Sequence, residues 1–377
     1  MPKARVMAGY ADRNASLYRR IGLPLGDPAA SIEFADATTL RIVRDLEMER
    51  VRQAAPGEVH CPADHAPAKG LDGDREIATA QALACCLSDR GATEVIVDRT
   101  FPQVYTAELL SLGISVQLDH GFGVTDRRSK TELEIQHLKR AQEKTEAVMR
   151  LVCERIAGAN ADKDGALSVD GEPLTSEALF SWAAIEFLRL GCSMNHGAIV
   201  AGPPESADCH HRGTGALRTG VPVIVDLCPR DEETRYHGDC TRTVVHGSVS
   251  ETVQNMHAAV TRAKQASEHV LRAGATGEAV HVAGENVLTA MGYPISRGEI
   301  TDEPSVQHGT GHGIGLEVHE PILLDHGGAE LLENEVVTVE PGLYGRLVGG
   351  VRVEDMLVAK TDGCVNLNTL PDGLCWA

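Results

Sequence analysis

Four apolar runs of β type each carry an acidic residue at an end or in their interior, and this pattern most constrains the fold. VPVIVDL (221–227) closes on Asp226, and Asp239 opens onto CTRTVVHG (240–247). Glu340 interrupts EVVTVEPGLY (335–344), and Glu354 interrupts VRVEDMLVA (351–359). A carboxylate beside a buried strand is costly unless it is paired or coordinates a metal. Four of them converging without cations would repel one another, so a pair of divalent ions would account for all four. Any one such acid is more often a turn or cap residue, and Asp226 with Asp239 alone would also suit the two ends of a hairpin. The run HGTGHGIGLEVHE changes the balance: it places His308, His312, His319 and an acid at Glu320 within one short glycine-rich segment. Its glycines let backbone approach a ligand closely.

The rest of the chain is organised around these runs. Residues 1–127 read as one unit, with a helix over 78–90, a strand over 93–98, a short helix over 105–112 and a strand near 114–118. Helix alternating with strand predicts a small α/β layer. The Pro-, Gly- and Asp-rich segment 55–75 reads as loop, and HCPADH within it, with His60, Cys61 and His65, is expected to carry no metal. A boundary near 120–130 leads into a second unit, 128–377. Ser129 and Glu132 have the spacing of a capping box, and Ile135, Leu138, Ala141, Val148, Val152 and Ile156 then recur at helical spacing. Further helices are expected over 176–190, 250–273 and 277–291, with Gly274 and Gly292 placed to end the last two. Helix pair, strand pair, helix pair, strand pair suggests two similar halves.

Composition narrows the function. With 54 acids against 35 bases and a net charge of -19, the chain is poorly suited to phosphate backbones, and nucleic acid is not expected as a partner. None of the ten cysteines forms a C-x-x-C pair, which removes the usual zinc-finger and redox spacings. Free thiols, no apolar leader at MPKARVMAGY and no long apolar stretch lead to the expectation of a cytoplasmic protein without membrane attachment.

HGTGHGIGLEVHE, then VTVEPGLY, then GVRVED resembles the C-terminal signature of the creatinase/prolidase/methionine aminopeptidase superfamily. DLCPRDEETRYHGDCTRT resembles its first two-carboxylate segment, and RRSKTELEIQHLKRA the helix that opens the catalytic domain in its Xaa-Pro members. The resemblance spans about residues 125–362. It implies a mixed α/β (α+β) protein with a C-terminal pita-bread catalytic domain and a smaller N-terminal α/β creatinase-like domain. It further implies a dinuclear site in which Asp226 holds one ion, Asp239 and Glu354 bridge both, and His312 and Glu340 complete the second. An all-oxygen-and-nitrogen donor set suits Mn²⁺, the expected ion, and also Co²⁺, Zn²⁺ or Fe²⁺.

By the same resemblance, a hydroxide shared by the two ions attacks the scissile carbonyl with Glu340 as general base. His319 supports the carbonyl oxygen and His308 contacts substrate. His210 sits at a catalytic histidine position, although neighbouring His211 leaves the alignment open by one residue. Arg352 either lies at the substrate site or orients a carboxylate through a salt bridge. The loop between Asp226 and Asp239 departs from the family pattern: it is about two residues longer and carries Cys228-Pro229. Cys228 and Cys240, beside the two acids, are read as core filling. The implied activity is metal-dependent hydrolysis of the bond between an N-terminal residue and proline, in short proline-containing peptides, by a homodimer. Dipeptidase and aminopeptidase are not separated. The alternatives are an inactive binding protein of the same fold, or a C–N hydrolase of a small non-peptide substrate.

Overall fold

Short, largely buried apolar strands in the first 118 positions pair into one sheet. The computed structural model describes residues 3–195 and 197–376, in two units, 1–127 and 128–377. In the first, the elements run β1 (Lys3–Tyr10), α1 (Ala15–Ile21), β2 (Pro28–Glu33), β3 (Thr39–Ile42), α2 (Met48–Ala54), β4 (Glu58–His60), α3 (Arg75–Asp89), β5 (Glu94–Val97), α4 (Gln103–Ser111) and β6 (Ser115–Leu118). The six strands form one sheet in the order β4-β3-β2-β1-β5-β6. Val6, Ile32, Leu40, Val95 and Leu83 are buried in its core.

Two sequence expectations change here. Segment 55–75 is not all loop: Glu58–His60 pairs in parallel with β3, Val59 opposite Arg41, because Val59 is buried. It is followed by a 3₁₀ turn, Pro62–His65. Helix α3 begins at Arg75 rather than 78, because Asp74 caps it by accepting from the Glu76 and Ile77 amides.

In the second unit, α5 (Glu132–Ala157) buries the whole predicted stripe, Ile135 through Ile156. Its cap is two residues later than expected. Thr131 and Glu134 exchange the reciprocal bonds of a capping box, whereas Ser129 donates to the Glu333 carbonyl at 2.6 Å. After α6 (Ser176–Arg189) come β7 (Ala198–Ala201), β8 (Pro222–Leu227) and β9 (Cys240–Val245), an antiparallel sheet with β8 central. After α7 (Glu251–Val270) and α8 (Gly277–Ala290) come β10 (Gly311–Gly313), β11 (Glu320–Leu324), β12 (Val336–Val339), β13 (Gly342–Gly345), β14 (Gly349–Arg352), β15 (Asp355–Lys360) and β16 (Gly363–Asn366). Five of these form a sheet in the order β11-β10-β12-β15-β16, and β13 pairs with β14.

The predicted runs 335–344 and 351–359 are each broken in two. Glu340-Pro341 separates β12 from β13, and Val353-Glu354 separates β14 from β15. The breaks fall at the acidic residues, whose side chains leave the apolar layers. Helix α7 ends at Val270 with Leu271 as its cap, so Gly274 lies in the following turn, while Gly292 directly follows the α8 cap. Among the described residues no helix is long and apolar enough to cross a membrane.

Candidate metal centre

Each acidic residue reaches the site from a different strand end. Asp226 lies in β8 opposite Thr241 of β9. Asp239 immediately precedes β9, and its peptide is gripped by Gln142 of α5: the Gln142 carboxamide accepts from the Asp239 amide at 2.8 Å and donates to its carbonyl at 2.7 Å. The amide of Glu340, just past β12, donates to Thr310 O at 2.7 Å. The Glu354 amide donates to Thr241 O, and its carboxylate accepts from Thr241 Oγ1 at 2.8 Å.

His312 comes from β10, where the pairing with β11 shifts register between His312 and Gly313. Such a bulge re-aims a side chain. Glycine is required beside it by close packing: a Cβ on Gly311 would lie 2.0 Å from the Thr338 carbonyl oxygen. The following turn is held by Glu320, which accepts from the Leu316 amide at 3.0 Å and pairs with buried Lys130 at 3.0 Å.

These elements enclose a cavity of about 510 Å³ whose wall includes all nine sequence-predicted residues: His210, Asp226, Asp239, His308, His312, His319, Glu340, Arg352 and Glu354. Asp239, His312 and Glu354 offer donor atoms within 4.8 Å of one another. The His312 Nδ1–H donates to Gly313 O, so its Nε2 lone pair faces Asp239 Oδ2 at 3.8 Å and Glu340 Oε1 at 3.6 Å. This is the tautomer a metal-ligating histidine adopts. The His319 ring packs edge-on against His312, centroids 4.4 Å apart. His210 lines the cavity and His211 does not; the His211 Nδ1 instead accepts from the Gly213 amide. Cys228, read from the sequence as core filling, instead lines the cavity, while Cys240 is buried in the core as expected.

A second chain of bonds runs along the wall. His308 Nδ1–H must donate to Gly309 O, which is only an acceptor, so its Nε2 accepts from Tyr344 Oη at 2.6 Å. Tyr344 Oη in turn accepts from Arg352 Nη1 at 2.8 Å, and Arg352 Nη2 donates to Asp226 Oδ2 at 2.6 Å. Of the two readings of Arg352, the salt bridge to a carboxylate is therefore present. Thr241, Tyr344 and Gln142 were not singled out in the sequence; as ordinary strand and helix residues they carry no local signal.

The electrostatics match the crowding. Burial first, then Asp226 and Glu340, push Asp239 far above the usual carboxylate range. Burial and the Asp239, Glu340 and Asp226 charges do the same to Glu354. Burial raises Glu340 to about 8, against the pull of Arg352 and with Asp226 adding to it. Burial, then neighbouring His319, lowers His312 to about 4, and burial, then Arg352, lowers His308 to about 3. Their mutual crowding thus favours the protonated forms of Asp239, Glu340 and Glu354 and the neutral forms of His308 and His312, a balance that a bound cation would shift toward ionised carboxylates.

A buried carboxylate and imidazole cluster at and between strand ends is the donor set of a metal-dependent enzyme. Residues 136–361 match the model of metallopeptidase family M24, well over half of the chain, and the chain belongs to that family. It is similar to the probable dipeptidase PepE of Mycobacterium tuberculosis, 30% identical over 250 residues, covering 66% of this chain and 60% of that protein. The chain therefore spans about 60% of the length of this relative. The Xaa-Pro dipeptidase of Pyrococcus horikoshii is 32% identical over 152 residues, 40% of each. Among solved structures, the X-Pro aminopeptidase from Thermotoga maritima matches with a TM-score of 0.80 at 24% identity, covering 99% of this chain and 97% of that one. The prolidase from Pyrococcus horikoshii matches at 0.77 and 21% identity, covering 99% and 95%. The fold is the expected pita-bread type.

Proposed function

We propose that this protein hydrolyses the bond between an N-terminal residue and proline, with two divalent ions held by Asp226, Asp239, His312, Glu340 and Glu354. The observation that carries this reading is the convergence of four carboxylates and one correctly tautomerised imidazole in a single cavity. Asp239 and Glu354 would help hold both ions, and the donor set suits Mn²⁺, the expected ion, with Co²⁺, Zn²⁺ or Fe²⁺ as substitutes. When bound, the ions supply Lewis-acid polarisation and a more acidic water.

The chain's own groups do the rest. Glu340 accepts the water proton and delivers it to the leaving nitrogen. His319, against His312, supports the substrate carbonyl oxygen. His308, neutral and fixed by Tyr344, contacts the substrate, and His210, also in the cavity wall, takes a catalytic role beside it. Arg352 orients Asp226 through a 2.6 Å salt bridge. An imide to proline has no N–H and a fixed ring, so the wall need not supply an acceptor for that group. The substrate is a short proline-containing peptide. The same reading takes the protein as a cytoplasmic homodimer, which its size in solution would test.

The test is release of the N-terminal residue from Xaa-Pro dipeptides and Xaa-Pro-Yaa peptides by chelator-treated protein, with and without added Mn²⁺. Metal-dependent cleavage lost in Asp239→Ala together with bound metal supports the proposal, and the length preference selects dipeptidase or aminopeptidase. Stoichiometric metal without cleavage of any Xaa-Pro peptide would instead favour a non-peptide C–N hydrolase. Full metal and activity in Asp239→Ala would overturn the site.

A further inference from the structure

We propose that His281, Glu285 and His326, with Asp325 beside them, form a separate binding site for a borderline divalent cation such as Zn²⁺. His281 and Glu285 stand one turn apart on α8, and His326 follows the end of β11. Glu285 Oε2 lies 3.2 Å from His281 Nε2 and 3.5 Å from His326 Nε2. One donor atom from each of the three residues lies within 4.8 Å of the others. Asp325 Oδ1 adds a fourth oxygen, 3.6 Å from His281 Nε2.

Two further observations point to a ligand. The Glu285 Oε2 atom is buried and makes no hydrogen bond, a costly state for a carboxylate oxygen. The His281 Nδ1 is engaged by Thr310 Oγ1 at 2.9 Å, which fixes the ring with Nε2 turned into the cluster. Burial also holds the His281 imidazole below its ordinary value, toward the neutral form that ligation needs.

A cation already takes this place. The Arg297 guanidinium lies 2.9 Å from His281 Nε2 and contacts both Asp325 oxygens, at 2.8 and 2.5 Å. The site therefore works by exchange: the ion replaces the guanidinium, and Arg297, on the loop after α8, swings outward. Two imidazoles with two carboxylates favour zinc-like ions over Mg²⁺ or Ca²⁺. Asp325 also lines the main cavity, so exchange changes the charge presented there. The site does not depend on the peptidase reading.

The experiment compares ions bound per chain in wild type, His326→Ala and Glu285→Gln, after chelation and equilibration of the full-length protein with excess Zn²⁺ or Co²⁺. His326 is 52% exposed, so its replacement spares the fold, and circular dichroism verifies this. Each variant should hold one ion fewer than wild type, and the Co²⁺ difference spectrum should show the visible bands of a low-coordinate nitrogen and oxygen site. Because the readout is a difference, it stands whether the main cavity holds two ions or none. Arg297→Gln should tighten binding by about fivefold or more, the scale of one competing partly exposed charge removed. Equal ion counts in wild type and both variants would overturn the site, and unchanged or weaker binding in Arg297→Gln would overturn the exchange.

Discussion

Replacing Lys130 by Met should cost the second unit a large part of its stability. The ammonium and the Glu320 carboxylate are each only 2% exposed and stand 3.0 Å apart. The carboxylate also accepts from the Leu316 and Glu317 amides, at 3.0 and 3.3 Å. Removing the cation takes from a buried carboxylate its 3.0 Å ion-pair partner. Breaking a buried pair from one side costs about 3–5 kcal/mol. At about 2–4 °C per kcal/mol for a unit of this size, the midpoint should fall by roughly 6–20 °C. Glu320→Gln in the Lys130→Met background removes the stranded charge while keeping an acceptor for the amides, and should return most of the loss, to within about 1–2 kcal/mol of wild type. The assay is denaturant unfolding of the metal-free protein followed by far-ultraviolet circular dichroism, across all four members of the cycle. A single variant within about 1 kcal/mol of wild type, or a double variant no better than the single, would refute the argument.

Other outcomes follow from the same geometry. Glu340 is raised in the folded metal-free chain from an ordinary 4.5 to about 8. Its contribution to stability is therefore full below about pH 4.5 and lost as pH rises toward about 8, with Asp239 and Glu354 shifted in the same direction. Metal uptake must displace these protons, so affinity should rise and protons be released across that window; a flat calorimetric affinity would contradict this. Tyr344→Phe removes the hydroxyl between His308 and Arg352. Turnover should fall about tenfold or more with metal content unchanged, as the buried imidazole loses the Tyr344 hydroxyl and with it its orientation; wild-type kcat would refute the role. Gly311→Ala would force a Cβ to 2.0 Å from Thr338 O, so β10 and β12 must separate and the protein should lose at least about 2 kcal/mol of stability, read by thermal unfolding.

Much of this was legible in the sequence because the signals were local and periodic. The α5 stripe and the β8 and β9 runs needed only spacing, and the four strand-associated acids and the HGTGHGIGLEVHE run needed only residue type. What was missed is relational. Strands β1 to β3 lack a clean alternation because much of each is buried. The capping box was misplaced because two Ser/Thr residues, Ser129 and Thr131, each have an acid three positions on, and only the bond from Ser129 to Glu333 decides between them. The unbroken reading of 335–344 failed because apolar composition does not reveal that Glu340 must leave the sheet. Thr241, Tyr344 and Gln142 acquire their roles only from partners far away in the chain.

The Gln142 carboxamide imitates a peptide group, giving Asp239 the paired donor and acceptor that a neighbouring strand would otherwise provide. Position along α5 therefore becomes a setting for the metal pocket. Thr131 caps the helix eleven residues before Gln142, and each inserted or deleted residue turns everything beyond it by about 100°. One added residue between them would swing the carboxamide off Asp239 while leaving the helix itself intact. Over that segment, natural selection should tolerate exchanges of side chain far more readily than any change of length.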